Sequence, residues 1–139
     1  MKITRVARIV ALGLLAYGGL VVVVESTLGL LQPEVGGTFI ITTTNDEGFS
    51  SDRVLAQNFS GGRLYASANH WPRAWYHDAV KNPKVRVTLD GVTADYVAVP
   101  VDAEEYERVE AEIGNGIGLK FLFGFAPQKF LRLDPVEGR

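Results

Sequence analysis

The sequence contains no cysteine, which excludes disulfides, thiolate-held metals and cysteine nucleophiles. Only two histidines are present, His70 and His77, so no histidine-rich metal site is expected. Basic charge is not in excess either: 14 Lys and Arg stand against 16 Asp and Glu, a net charge of −2. Nucleic acid needs a basic face to neutralise its phosphates, so it is not an expected partner. Gly114, Gly116 and Gly118 do not follow a strand and open a helix, and therefore form no dinucleotide fingerprint. There is no internal repeat and no low-complexity segment. The 139 residues suffice for one domain and not comfortably for two.

A long apolar run is present at the N-terminus. Ile9 to Val24 carries no charge, and Glu25 is the sole charge between Ile9 and Leu31. Lys2, Arg5 and Arg8 precede the run, so residues 1–31 hold three basic groups and one acid, a net +2. Residues 32–139 hold 11 basic and 15 acidic groups, a net −4. This is the layout of a membrane-targeted chain. A helix needs about 20 apolar residues to cross the hydrocarbon core, and Ile9 to Leu31 is long enough if Glu25 lies at the interface. A retained single-pass anchor over residues 1–31, in contact with membrane lipid, is the expectation, with residues 32–139 as the domain it carries. Two other readings stand beside it. One is a cleaved signal peptide, for which Val22, Val23 and Val24 make a poor small-residue cleavage site. The other is an apolar helix that packs on the domain or lies in the membrane surface. Gly13, Gly18, Gly19 and Gly29 suit close helix packing in lipid. The basic leader favours the cytoplasmic side, so a full span places the domain opposite; the side of the membrane stays open.

Beyond a breaker-rich linker at Pro33 to Gly37, Thr38 to Thr44 is β-branched and aromatic and reads as a strand. Arg53 to Phe59 and Arg63 to Ser67 flank Ser60-Gly61-Gly62, a hairpin signal. Pro72 opens a short helix over Arg73 to Lys81, which Asn82-Pro83 ends. Val85 to Leu89, Asp90-Gly91 and Val92 to Val99 read as a second hairpin. Asp102 is an N-cap with Glu105 as its capping-box partner, and Tyr106, Val109 and Ile113 mark the buried face of the helix that follows. The acidic run Glu104 to Glu112 reads as a solvated face. Leu119 to Phe125 is apolar and aromatic without a clear form, and Phe130 to Leu133 is a last strand. The fold class expected is α+β: a six-stranded antiparallel barrel with two short helices, preceded by an apolar helix.

The stretch Ala74-Trp75-Tyr76-His77-Asp78, followed by Lys81-Asn82-Pro83-Lys84-Val85, resembles the Ala-Trp-Tyr-His-Asn … Ala-Asn-Pro-x-Val signature of the deazaflavin-dependent nitroreductases. Thr42-Thr43-Thr44, Arg53, Ala66-Ser67 and the Asp90-Gly91 hairpin fall in the order that family shows, so the resemblance covers roughly residues 37–134. It implies a split β-barrel of the FMN-binding type that holds the deazaflavin coenzyme F-420 in a groove; beside it stand FMN as the alternative cofactor, a haem-like ligand, or none. It also implies hydride transfer to a small organic acceptor such as a quinone or nitro compound, and a possible homodimer.

Several residues suit such a site. Trp75 and Tyr76 offer flat faces to a tricyclic ring. Asn69 to Arg73 leads into a helix N-terminus, which favours an anion or carbonyl oxygen. Arg53 and Arg73 can pair with a phosphate or carboxylate. Ser67 and Asn69 complete the expected cofactor set, while Tyr65, His70 and Tyr76 are candidate proton donors. Trp71, Trp75 and Tyr76 serve equally well as packing at the barrel end, and His77 suits packing or hydrogen bonding better than catalysis. The acidic loop Asn45 to Asp52, with Asp46, Glu47 and Asp52, favours a second reading, a non-catalytic membrane-tethered module that binds a small ligand. A structural membrane subunit contacting a partner through Phe121 to Phe125 is a third.

Overall fold

The computed structural model describes residues 4–31, 37–68 and 74–137, without the side chains of residues 28–31. A long helix, α1 (Arg5–Leu31), comes first. Seven strands and three short helices follow in the order β1 (Thr38–Thr44), β2 (Ser50–Ala56), β3 (Asn58–Ser60), β4 (Arg63–Ala68), α2 (Ala74–Lys81), β5 (Lys84–Leu89), β6 (Val92–Pro100), α3 (Ala103–Ile113), α4 (Ile117–Leu122) and β7 (Lys129–Pro135).

All seven strands join one sheet in the order β2-β1-β5-β6-β7-β4-β3, antiparallel at every pairing. The two edge strands, β2 and β3, are separated in the chain by Gln57 alone. A chain that passes from one edge of a sheet to the other through a single residue forces the sheet to curl until its edges approach, which protects them from pairing with another chain. Gln57 fastens this seam: its backbone N–H donates to the Gly37 carbonyl at 2.7 Å and its Nε2 to the Thr38 carbonyl at 2.9 Å. The sequence reading expected six strands because Arg53 to Phe59 looked continuous. The seam at Gln57 divides that run between opposite edges and makes seven.

Alternation places the core inside the curl. From β1, Phe39, Ile41 and Thr43 point inward; Val85 and Val87 of β5, Leu64, Ala66 and Ala68 of β4, and Leu131 and Leu133 of β7 meet them. Helix α2 closes one side with Trp75 and Ala79, four residues apart on one helical face. A second, smaller core lies on the outer face of the sheet. There Tyr65 and Phe130 pack against Val109 of α3, with Tyr106 and Ile113 at its margin. Strand β4 is covered on both faces, so its inward set and Tyr65 are all buried. Each large apolar side chain removed from water contributes roughly 1.5–3 kcal/mol.

Both hairpin turns form at the expected dipeptides. Gly61 and Gly62 have φ of +57° and +75°, and Asp90 and Gly91 have φ of +50° and +79°. Two consecutive left-handed residues define the type I′ turn, whose twist matches that of the strands it joins.

Candidate functional site

The inward face of β2 opens into a cleft of about 300 Å³, lined by Ser51, Asp52, Arg53, Ala74 and Trp75. Strand register explains how these residues meet. Ser51 pairs with Thr43 and Arg53 with Ile41, so both lie on the face of the sheet that Ile41 and Thr43 share. Asp52 falls on the opposite face beside Thr42, whose hydroxyl donates to its carboxylate at 2.6 Å. The alternation thus presents the Arg53 guanidinium to the cleft while Asp52 is held on the other face at the rim. Trp75 is brought in by α2. Its ring belongs mainly to the core, with 6% of its surface exposed, so it offers the cleft an edge rather than a whole face.

One atom at this place lacks what burial normally demands. The Thr43 side chain is fully buried, and its Oγ1 has no hydrogen-bond partner. A buried hydroxyl without a partner costs about 1–3 kcal/mol, and such groups are rare in native proteins. Thr43 is paired with Ser51, which lines the cleft, so the orphaned hydroxyl lies behind the cleft's lining. Neither Thr43 nor Ser51 was named as a site residue from the sequence, although Thr43 stands in the Thr42-Thr43-Thr44 run that resembles the family's first strand. The available signal was a polar residue at an inward position of an alternating strand, after Phe39 and Ile41.

Loop Asn45 to Phe49 above the cleft carries less net negative charge than its composition suggests. The Lys81 ammonium bonds Asp46 at 3.1 Å, and Asn82 Nδ2 donates to the Thr44 carbonyl at 2.9 Å, joining α2 to the end of β1. Exposed pairs of this kind add little stability, but they neutralise the loop locally.

The other sequence-predicted residues distribute unevenly. Tyr76 neighbours Trp75, the two rings 5.9 Å apart edge to face, and the Lys129 ammonium lies 5.4 Å from its centroid. Burial holds its phenol above the usual range, so it keeps its proton at neutral pH. Tyr65 and Ser67 are not brought to the cleft. They lie on the outer face of β4, where the Tyr65 hydroxyl donates to Glu105 at 2.7 Å and Ser67 Oγ accepts from Gln128 at 3.1 Å. Burial, then the hydrogen bond to Glu105, raises the Tyr65 phenol. Asn69, His70 and Arg73, with Trp71 and Pro72, lie outside the described residues. His77 is exposed on α2.

The acidic face of α3 departs from expectation. Asp102 caps the helix by accepting the Glu105 N–H at 2.8 Å, but the Glu105 carboxylate is turned to the sheet, where it accepts from Tyr65 and, at 2.8 Å, from Arg132. Arg132 also holds Asp134 through two nitrogens, while Arg108 donates to Ser60 and Tyr65 and Ser60 in turn to Glu112. The guanidinium of Arg132, between two carboxylates, is held further into its charged form. This network binds α3 to the sheet and was invisible in a run of acids read as solvated. Nearly every charge in it is matched within it, so it makes a poor ligand site.

A larger cleft of about 540 Å³ lies at β5 and β6, lined by Lys84, Val85, Arg86, Asp95, Tyr96, Val97 and Val136. It holds no orphaned buried polar atom, and Arg86 and Asp95 face each other at 4.0 Å. Among the described residues no three His, Asp or Glu side chains are grouped to hold a metal ion.

No family model and no curated protein matches the chain. Solved structures do match. A reductase dependent on reduced F-420 (FDR-A) is 18% identical, with a TM-score of 0.55 over 69% of this chain and 94% of its own. HutZ, the haem storage protein of Vibrio cholerae, is 20% identical, with a TM-score of 0.58 over 83% and 92%. A putative pyridoxamine 5′-phosphate oxidase from Listeria innocua is 15% identical, with a TM-score of 0.50 over 83% and 94%. A further neighbour, 17% identical with a TM-score of 0.59 over 81% and 96%, is a domain-swapped dimer. At these identities the likeness is one of fold: the chain has the curled, split-barrel sheet that these proteins share.

Proposed function

We propose that this chain is a membrane-associated oxidoreductase that binds a flavin or deazaflavin at the β2–α2 cleft and acts on a small organic acceptor such as a quinone. The observation that carries this reading is the meeting of Ser51, Arg53 and Trp75 in one cleft, with the orphaned Thr43 hydroxyl paired behind Ser51. Trp75 and Arg53 are also residues for which the nitroreductase resemblance implies cofactor contact, and a solved neighbour is an F-420-dependent reductase. The cleft's residues fit a flat ring system. Ser51 offers a hydroxyl to its polar edge, Trp75 an apolar ring edge, and Arg53 a cation to an anionic substituent. The cofactor, when bound, supplies the hydride chemistry; the protein orients it and excludes water. Arg53 is a cation at the cleft that can meet the phosphate of FMN or an anionic group of the F-420 tail. Tyr76, next to the lining residue Trp75 on α2 and protonated at neutral pH, remains a candidate proton donor.

Helix α1 is long and apolar enough to cross a membrane, and the domain it carries is placed where a lipid-soluble acceptor is dissolved. Homodimerisation belongs to the same proposal and has a parallel in the domain-swapped neighbour.

A second reading has its own support. Tyr65 and Ser67 are engaged on the far face of the sheet, and one neighbour is a haem storage protein, which favours a tethered binding module without catalysis. An assay of the full-length chain in detergent micelles separates the two. Quinone-dependent oxidation of reduced F-420 or of reduced FMN, lost in Arg53→Ala, supports the enzyme. Binding without turnover supports the module.

A further inference from the structure

Helix α4 leaves its apolar side chains uncovered. Ile117, Leu119, Phe121 and Leu122 are exposed, as is Phe125 just beyond, whereas Lys120 is half-buried and bonded to Glu110 at 3.0 Å. No residue of α4 is buried. A short helix that leaves its apolar residues open while its one charge is paired with Glu110 is arranged for an apolar exterior. Two consecutive left-handed residues, Gly124 (φ +63°) and Phe125 (φ +55°), shape the turn that follows. A non-glycine residue there costs about 1–2 kcal/mol.

This segment meets α1. Tyr17, Val21, Val24 and Glu25 are the residues of α1 withdrawn from solvent among those with described side chains, and their spacing of four, three and one marks a single helical face. The Tyr17 hydroxyl donates to the Phe121 carbonyl at 2.8 Å, and the two rings lie 4.6 Å apart. A Cβ on Gly124 would come within 3.0 Å of Val21, so the close approach there depends on glycine. Glu25 sits on this packed face, 9% exposed, not on a face turned to lipid.

The place of the contact decides how α1 meets a bilayer. At about 1.5 Å per residue, Tyr17 and Val21 lie roughly 12–18 Å along the helix from Ile9. The hydrocarbon core is about 30 Å thick. A spanning α1 that kept this contact would carry the Lys120–Glu110 pair to the middle of the bilayer, where charge is costly. A helix lying along one leaflet avoids that, with Arg5 and Arg8 at the headgroups.

We propose that α1 and the Ile117–Phe125 segment form one monotopic membrane-binding face, with α1 lying along a single leaflet and α4 dipping in beside it. This rests on the membrane association proposed above and replaces a tether with a docked surface. It also keeps the basic leader and the barrel on the same side.

The absence of cysteine makes the test direct, because each single-cysteine variant of the full chain accepts one label. Leu119→Cys, Thr4→Cys and, as a control on the exposed β5–β6 turn, Val92→Cys are added to sealed vesicles of phosphatidylcholine and phosphatidylglycerol. The expected result is a blue shift of an environment-sensitive label at position 119 and its quenching by doxyl-labelled lipid. Position 92 should be unaffected, and position 4 should react from outside with an impermeant maleimide. If the protein floats with vesicles while position 119 stays unquenched, the two-element face is wrong although membrane association stands. Protection of position 4 shows that α1 spans, and also overturns the proposal. Failure to float at all removes the membrane reading itself.

Discussion

At the residue scale, the account turns on Thr43 and Arg53. Replacing Thr43 by Val removes a buried hydroxyl that has no partner and keeps the side-chain shape. The ligand-free protein is expected to gain about 1 kcal/mol, read as a higher melting temperature, because no hydrogen bond is lost and a desolvation cost is removed. The same substitution is expected to weaken ligand binding, so its effect on melting reverses when ligand is present. A Thr43→Val protein that melts lower without ligand would mean that the hydroxyl is satisfied within the fold. Asp52 makes the complementary point. Its charge counts against an anion site on composition alone, but strand register ties its carboxylate to Thr42 at the rim of the cleft, while Arg53 follows the inward face. Register depends on where the turn falls, and no count of charges contains it.

Among the elements, the legible parts were those whose signals are local. The Gly61-Gly62 and Asp90-Gly91 turns need positive φ, the Asp102 cap needs a side-chain acceptor, and Trp75 and Ala79 follow helical spacing; all of these can be read from a few adjacent residues. The seam at Gln57 was not legible, because no glycine or proline marks it and its cause is tertiary: Gly37 and Thr38 take its hydrogen bonds. The site was legible only in part. Arg53 and Trp75, named from the sequence, line the proposed cleft, whereas Tyr65 and Ser67 sit one residue out of phase with the inward positions of β4 and face away from it. Helix α3 misled for the same kind of reason, since Glu105 in an acidic run is a bridge to Tyr65 and Arg132. Its side chain is 14% exposed. Glu105→Ala is expected to cost roughly 1–3 kcal/mol in chemical denaturation, because the Tyr65 phenol loses its acceptor and Arg132 keeps one of its two carboxylates, Asp134. Glu107→Ala, on the exposed side of α3, should stay within about 0.5 kcal/mol.

For the whole molecule, three tyrosines join the stability to pH. Burial raises the phenols of Tyr65, Tyr76 and Tyr106 above their ordinary value of 10.0 in the folded chain. Above pH 10 the unfolded chain releases these protons while the folded chain still holds them. The unfolded state then binds fewer protons, and stability falls as pH rises. The contribution is intact below pH 10 and is lost progressively above it. Melting curves between neutral pH and pH 11 should show this alkaline loss, with a shallower slope in Tyr76→Phe, whose hydroxyl has no charged partner among the causes of its shift. An alkaline slope unchanged by that substitution would remove Tyr76 from the explanation.

The central claim is that the β2–α2 cleft holds a flat redox cofactor. Its most direct test is titration of the full-length chain in micelles with FMN, F-420 and haemin side by side, followed by tryptophan fluorescence, in the wild-type protein and in Arg53→Ala. The account predicts saturable quenching by FMN or F-420 that weakens about tenfold or more in Arg53→Ala, the worth of a charge-assisted hydrogen bond. Quenching by haemin alone, or by a flavin with the same affinity in both proteins, would contradict it.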